Sequence, residues 1–252
     1  MSDNIVINII EKIYKDINNG NLVHRAIKDL KLNIPKGEFC SIIGPSGCGK
    51  STLLNIISGL DNKFQGSLKY GNHSSTKEKK IAYMFQTPRL LPWLNVIENV
   101  EVVLSKKQIV AGRAKMFLKL MGLQDFFSFY PNKLSGGMQR RVALARSFAS
   151  SPELFILDEP FVSLDAPAAN LLRDMLIDLW MKEPTTILFV THDIEECIYL
   201  SDRVIFLSKA PAKVIKEKKI DIGRPRVNKT KEINKIKNEL LKNNKKLLEG
   251  KL

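Results

Sequence analysis

Apolar residues over the first forty positions come in short runs broken by turn-forming stretches at Asn18-Asn19-Gly20-Asn21 and Pro35-Lys36-Gly37. Residues 5–43 therefore read as β-rich, an N-terminal antiparallel β region. The run Phe39–Ile43 is wholly apolar apart from Ser41 and partly β-branched, as a strand covered on both faces should be. A glycine-rich loop follows it, and residues 50–60 read as a helix closed near Gly59. Residues 81–86 form another short strand pattern. From position 96 to 149 the spacing turns helical, notably at 112–121 and 137–148. Apolar strands return at 154–157, 186–191 and 203–207, with a helical stretch at 166–181. Strands alternating with helices predict an α/β fold with a mostly parallel core sheet. The helical block, about 87–150, is then an α-helical subdomain inserted into a sheet domain spanning 1–208. Beyond it, residues 209–252 form a basic tail. There Ile233, Ile236, Leu240, Leu241, Leu247 and Leu248 share one helical face, as in a terminal helix docked on its own domain.

Composition narrows the class. A chain of 252 residues with 44% hydrophobic and 26% charged positions suits a globular protein with one large core. No run of eighteen apolar residues is present, so the chain is not expected to span a bilayer. The opening MSDNIVINIIEKIYKD has no basic segment followed by an apolar one, so secretion is not expected. Cys40, Cys48 and Cys197 have neither zinc-like nor redox spacing and read as buried residues of a reducing, cytoplasmic compartment. The net charge of +14 is concentrated in the tail, where residues 209–252 hold 15 Lys+Arg against 5 Asp+Glu. Such a charge run is a solvated face, or else a contact for an anionic membrane or acidic partner. Nucleic acid is not the expected partner, because no aromatic residues interleave the tail charges.

Four stretches carry chemistry. In Gly44-Pro45-Ser46-Gly47-Cys48-Gly49-Lys50-Ser51-Thr52, the glycines let the backbone curl so that several N–H groups face phosphate oxygens. The helix that follows adds its positive N-terminal end. Lys50 can reach β- and γ-phosphates, the Ser51 hydroxyl can ligate Mg²⁺, and Thr52 supports the site. The apolar strand 154–157 delivers Asp158 and Glu159 to its C-terminal edge, where open α/β sheets bind ligands. Asp158 is the candidate Mg²⁺ holder and Glu159 the candidate general base, although the two acids could instead cap the turn at Pro160. His192 follows the apolar strand ILFVT, a place where a histidine is as readily structural as catalytic. Ser135, Gly136 and Gly137, in Leu134-Ser135-Gly136-Gly137-Met138, precede a basic helical segment and offer a second anion cradle at a helix start.

These motifs, in this order, resemble those of ATP-binding cassette (ABC) ATPases, a family of P-loop NTPases, over roughly residues 14–207. The resemblance implies ATP and Mg²⁺ as ligands, with ATP hydrolysis coupled to transmembrane transport. In the family, Ser135, Gly136 and Gly137 would complete the ATP site of a neighbouring copy, so ATP is sandwiched in a head-to-tail dimer of like or paired subunits. His192 would contact the γ-phosphate and the attacking water. Gln86 would sense Mg²⁺ and link the sheet to the helical block. Ser163-Leu164-Asp165 resembles the loop that crosses to the partner. Tyr14 sits where the family places an aromatic that stacks on the base, and is otherwise an ordinary strand tyrosine. Phe85-Gln86, Leu90-Leu91-Pro92-Trp93, Asp158-Glu159-Pro160-Phe161, VTHDIEE at 190–196 and Arg224-Pro225-Arg226 are similar to the ATPases of nitrate, sulfonate and taurine importers. Importers of thiamine-precursor pyrimidines share much of this pattern. Two departures stand out: Met138-Gln139-Arg140 replaces the family's usual Met-Arg-Gln, and Ala210-Pro211-Ala212 replaces Arg-Pro-Gly.

With no membrane segment of its own, such a subunit would act on separate permeases, fed indirectly by a solute-capture protein, from the cytoplasmic face of the membrane. The stretch from Thr87 to Val96 lies where the family receives a permease helix. Trp93 suits that contact, or packs on its own helical block. Two other readings stay open: an exporter or lipid-trafficking cassette, and a soluble cassette acting on DNA or ribosomes. The second is weaker, because the roughly 47 residues between Gln86 and Leu134 are too few for a long coiled-coil insertion.

Overall fold

The computed structural model describes residues 4–15, 23–71, 79–162, 164–243 and 246–251. The expected turn at Asn18-Asn19-Gly20-Asn21 and Ser163 lie outside them. The elements run β1 (Ile5–Lys15), β2 (Val23–Ile34), β3 (Phe39–Ile43), α1 (Lys50–Ile57), β4 (Gln65–Tyr70) and β5 (Ile81–Met84). Then come α2 (Val96–Glu101), α3 (Lys106–Val110), α4 (Arg113–Leu120), α5 (Gly136–Ala149), β6 (Leu154–Asp158) and α6 (Ala166–Lys182). The chain closes with β7 (Thr186–Val190), α7 (Ile194–Leu200), β8 (Arg203–Leu207), β9 (Val214–Lys219) and α8 (Thr230–Asn243). They fall into two units, one of residues 1–79 with 186–252 and one of residues 80–185.

In the first unit β1 lies between β2 and β4, antiparallel to both. Its alternation buries Ile5, Ile7 and Ile9 while Val6 and Ile10 face out, the signature of a sheet covered on one side. The polar stretch of β4 gives no strand signal in the sequence. It is admitted beside β1 by Gly66, opposite Ile9, where a Cβ would stand 2.0 Å from the Asn8 carbonyl oxygen. β3 pairs in parallel with β7 on one side and β8 on the other, and β3 and β7 are buried along their whole length. β9, within the basic tail, adds antiparallel to β8. Ile233, Leu240 and Leu247 of the C-terminal segment are buried with Ile43, Ile194, Ile198, Val204 and Phe206. Cys40, Cys48 and Cys197 are buried free thiols.

One ion pair ties β1 to the segment after α1. Lys12, only 4% exposed, sets its Nζ 2.6 Å from Asp61 Oδ2 and donates to the Lys63 carbonyl at 2.8 Å. The same ammonium lies 4.5 Å from the centre of the Tyr14 ring. Partial burial alone would raise the Asp61 carboxyl pKa. The bonds from Lys12 and the Lys63 N–H outweigh it and hold the group below its ordinary 3.8.

The second unit pairs β5 and β6 in parallel and packs α2 and α4 against α5. Phe148 sits between Phe117 and Phe155 in its core. The helical pattern at 112–121 is α4, started by Gly112 in the left-handed region (φ 72°). Strand β5 ends at Met84, so Gln86 stands in the following loop rather than at the end of the strand expected for 81–86.

Asp61→Asn leaves the Lys12 ammonium buried without its counter-charge, and a loss of about 2–3 kcal/mol is expected, less than for a fully buried pair. A carboxyl with a lowered folded pKa contributes its stability above the unfolded value and loses it as pH falls. The deficit measured by urea unfolding should therefore be constant near neutral pH and shrink only below about pH 4.

Candidate functional site

The phosphate-type loop grows out of the C-terminal end of β3. Gly47 and Gly49 both hold left-handed backbone (φ 71° and 111°), and Cys48 N–H closes a turn on the Pro45 carbonyl at 3.3 Å. At Gly49 a Cβ would stand 2.8 Å from the Ala26 carbonyl oxygen of β2, so no other residue fits without moving the backbone. Gly49 is also the N-cap of α1, and no side chain caps that helix, so its first N–H groups are left to the loop. Lys50 is buried, its Nζ donating to the carbonyls of Gly44 (2.8 Å) and Pro45 (2.9 Å). The ammonium is thus held over the loop's own backbone. Ser46, Gly47 and Ser51 are exposed. Left-handed glycines leading into a helix start that no side chain caps, with one fixed cation beside them, have the chemistry of a polyphosphate cradle.

Tyr14 stands beside it. Its hydroxyl is 3.4 Å from Thr52 Oγ1 on α1 and 3.3 Å from Asp61 Oδ2, and the side chain is exposed. His192 leaves the same edge of the sheet as the cradle, since β7 runs parallel beside β3. The connection that carries it is tightly fixed. Thr191 is buried, its hydroxyl donating to Glu196 Oε2 at 2.6 Å and accepting the Asp193 N–H at 3.1 Å. Asp193 caps α7 by accepting from Glu195 N–H at 2.7 Å. Glu195 pairs with Lys237 of α8. The two glutamates that follow His192 are therefore structural, and His192 itself is exposed.

Arg224 and Arg226 hold the other end of α7, a role the sequence alone does not disclose. Arg224 donates to the Leu200 carbonyl and pairs with Asp202. Arg226 donates to the carbonyls of Ile198 (2.6 Å) and Ser201 (2.8 Å). These carbonyls lie at a helix C-terminus, where the backbone offers acceptors and a partial negative charge. Burial, with the Arg224 charge adding to it, lowers the Arg226 pKa to about 10.

The other residues of interest lie in the second unit. Asp158 ends β6 and accepts from the Tyr83 hydroxyl at 3.4 Å. Burial, then the Asp158 charge, pushes the Tyr83 phenol up, so it stays a donor. Glu159 takes left-handed backbone (φ 48°), uncommon for a residue with a side chain. Gln86 is exposed in the loop after β5, its carbonyl accepting from Arg140 at 3.4 Å. Arg146 fastens the same loop through the carbonyls of Pro88 and Arg89. Asp165 caps α6 by accepting from Ala168 N–H at 3.2 Å.

Ser135 is the N-cap of α5, its Oγ accepting from Met138 N–H at 3.2 Å. Gly136 opens the helix, and among the described residues beyond its own turn of helix a Cβ there would meet nothing within 4 Å. The loop 87–96 is held from beneath by Asn99, wholly buried. Its Oδ1 accepts from Leu91 N–H, and its Nδ2 donates toward the carbonyls of Leu91, Leu94 and Asn95. Trp93 projects from that loop, 69% exposed. The structure brings Lys50, Ser51, Tyr14 and His192 into one unit and Gln86, Ser135, Gly137, Asp158, Glu159 and Asp165 into the other.

The family model described as ABC transporter matches residues 27–162. An uncharacterized ABC transporter ATP-binding protein of Methanocaldococcus jannaschii is 44% identical over 82% of this chain and 79% of its own length. The aliphatic sulfonates import ATP-binding protein of Bacillus cereus strain ZK is 41% identical, covering 86% of this chain and 87% of its own. Its counterpart in Bacillus subtilis is 39% identical over 94% and 92%. A solved ATP-binding cassette, a dimer in a post-hydrolysis state with ADP and Pi, superposes with a TM-score of 0.75 at 34% identity, covering 87% of this chain and 100% of that one. With the phosphate cradle, the paired acids and the serine-glycine helix start all in place, the chain belongs to the ABC transporter family, as a subunit that binds and hydrolyses ATP.

Proposed function

We propose that this ATPase energises the import of small organic anions of the aliphatic sulfonate kind. It works as a head-to-tail pair on separate permease subunits at the cytoplasmic face of the membrane, with a capture protein supplying the solute. The substrate class rests on the relatives named for aliphatic sulfonate import, 39–41% identical across 86–94% of this chain. Among the described residues no helix is long and apolar enough to cross a membrane, which fits a subunit that works through partners.

In this reading the β- and γ-phosphates lie on the N–H groups of residues 44–52, and Lys50 turns its ammonium from the loop carbonyls to them. Tyr14 stacks on the adenine. Ser51 and Asp158 offer the hard oxygen donors that Mg²⁺ prefers. Among the described residues no group of three His, Cys, Asp or Glu forms a cage. That suits an ion which keeps most of its ligands as water and phosphate oxygen. When bound, Mg²⁺ neutralises charge on the β- and γ-oxygens. Gln86 would help hold the ion, His192 would hold the γ-phosphate, and Glu159 would orient and deprotonate the attacking water.

Ser135, Gly136 and Gly137 serve the ATP of a second copy, and Asp165 lies on the loop that crosses to it. Gly136 supports this, because among the described residues nothing crowds the position. A glycine is useful there if another molecule's phosphate must approach the backbone. The similar solved cassette is likewise a dimer. The loop from Thr87 to Val96 receives the permease. Asn99 sets its shape in advance and Trp93 is the anchor, an exposed aromatic on a rigid loop.

Glu159→Gln should keep ATP affinity, lower kcat by roughly 10²-fold or more, and abolish alkanesulfonate uptake in cells. Wild-type turnover would remove Glu159 from its role, and uptake independent of this chain would refute the substrate class. In that background, Ser135→Arg should leave ATP binding intact but yield monomers in sizing chromatography with ATP; persistent dimers would count against the sandwich. Trp93→Ala should weaken co-purification with the permeases by about tenfold or more, the scale of a buried aromatic anchor, with basal ATPase activity within twofold.

A further inference from the structure

Arg140 lies on the signature helix α5 and is 9% exposed. One nitrogen of its guanidinium, Nη2, donates to the Val162 carbonyl at 2.6 Å and reaches the Gln86 carbonyl at 3.4 Å. Its Nε is buried with no hydrogen-bond partner, and among the described residues no carboxylate pairs with the charge. A buried cation held only by carbonyls is an expensive way to join two loops. A stability role alone would be better served by an apolar side chain of similar volume. The two loops are the ones the chemistry uses. Gln86 stands in one. Val162 lies in the other, between Glu159 and Asp165, where the Val162 N–H also closes on the Glu159 carbonyl at 3.3 Å. Arg140 itself is five residues from Ser135, at the start of the same helix. This is also where the sequence departs from the family's usual order, with arginine standing in place of glutamine.

We propose that Arg140 is a positioning residue for hydrolysis, clamping the Gln86 loop and the turn from Glu159 to Val162 together from the signature helix. The clamp is uneven in this structure, short to Val162 and long to Gln86. A small shift of α5 would tighten or release the Gln86 side, so a change at Ser135 is felt at Gln86 and Glu159. This inference rests on the roles given to those residues under the proposed function.

The test uses the full chain with Arg140→Met, Arg140→Lys and Arg140→Gln. Readouts are kcat and KM for ATP, the Mg²⁺ concentration giving half-maximal rate, and Tm. Arg140→Met is expected to lower kcat by about tenfold, the scale of one charge-assisted hydrogen bond. KM should stay within twofold, Tm should be unchanged or raised, and the Mg²⁺ requirement should increase. Arg140→Lys, which keeps a cationic donor, should recover most of the rate. Combined with Gln86→Ala, Arg140→Met should cost less than the product of the two single effects, since it acts through Gln86. A kcat within twofold of wild type, a loss of kcat that tracks a loss of Tm, or fully multiplicative effects would each overturn the proposal. If Arg140→Met does not fold, Arg140→Gln decides on the same readouts, with a kcat loss of about threefold or more expected. If Glu159→Gln proves inactive while the Arg140 variants match wild type, only this inference fails. If Glu159→Gln hydrolyses normally, the site assignment itself fails.

Discussion

The contact on which the nucleotide site depends is the approach of Gly49 to the Ala26 carbonyl of β2. A side chain at Gly49 would collide with that oxygen, and its φ of 111° excludes ordinary residues independently. The same carbonyl accepts the Ala212 N–H at 2.8 Å, and Lys28 N–H donates back to the Ala212 carbonyl at 3.2 Å. The loop that wraps phosphate is thus wedged between an N-terminal strand and the segment after β8. Ala212, which stands where the family usually has glycine, is wholly buried in that wedge. Its methyl lies 3.4 Å from where a Gly49 Cβ would be, so the alanine fills space rather than forcing the loop open. Further along, Gly250 (φ 74°) brings the C-terminal segment against Lys209 and Pro45, close enough that a Cβ would meet the Lys209 nitrogen at 2.4 Å. The phosphate loop is therefore braced by parts of the chain far apart in sequence.

Arginine bound to backbone carbonyl is the second recurrent device. Arg140, Arg141 and Arg146 on α5 and Arg224 and Arg226 near α7 all place guanidinium N–H groups on main-chain oxygens. Burial lowers the pKa of Arg140, Arg141, Arg146 and Arg226. A planar fork of donors suits loops and helix ends, whose carbonyls have no partner of their own. Part of the positive charge that looks, in the sequence, like a surface for anionic partners is consequently spent inside the molecule. The exposed lysines of α8 remain as the solvated part.

The legible parts of the sequence were those where one residue pattern serves both fold and chemistry. The strand, glycine loop and helix at 39–57 could be read because the apolar run, the glycines and Lys50 each require that order. Strands β6, β7 and β8 were legible as apolar runs because they are covered on both faces. β4 and β9 were not, because Gln65–Tyr70 and Val214–Lys219 are polar segments whose strand state comes from a neighbour's backbone, through Gly66 against β1 and through β8. Arg224-Pro225-Arg226 could be seen as a family mark but not as the clamp on α7, since that needs the carbonyls of residues 198–201 at hand. The exposure of Trp93 was equally hidden: the sequence shows an aromatic in a loop, while the buried Asn99 that shapes the loop lies outside it.

The two glycine-rich helix starts show what a structure adds to such a pattern. Both read as anion cradles, and from sequence alone the glycines of one are as necessary as those of the other. The molecule separates them. Gly49 is demanded by its own chain, since Ala26 leaves it no room for a side chain. Gly136 has helical backbone, and among the described residues nothing crowds a Cβ placed there, so these residues would accept alanine. A glycine that the described part of its own chain does not crowd is free to serve the contact with a second copy proposed above. Among the described residues the open space at Gly136 is compatible with the partner-facing role proposed for Ser135, whereas the crowding around Gly49 ties that glycine to the fold of its own chain.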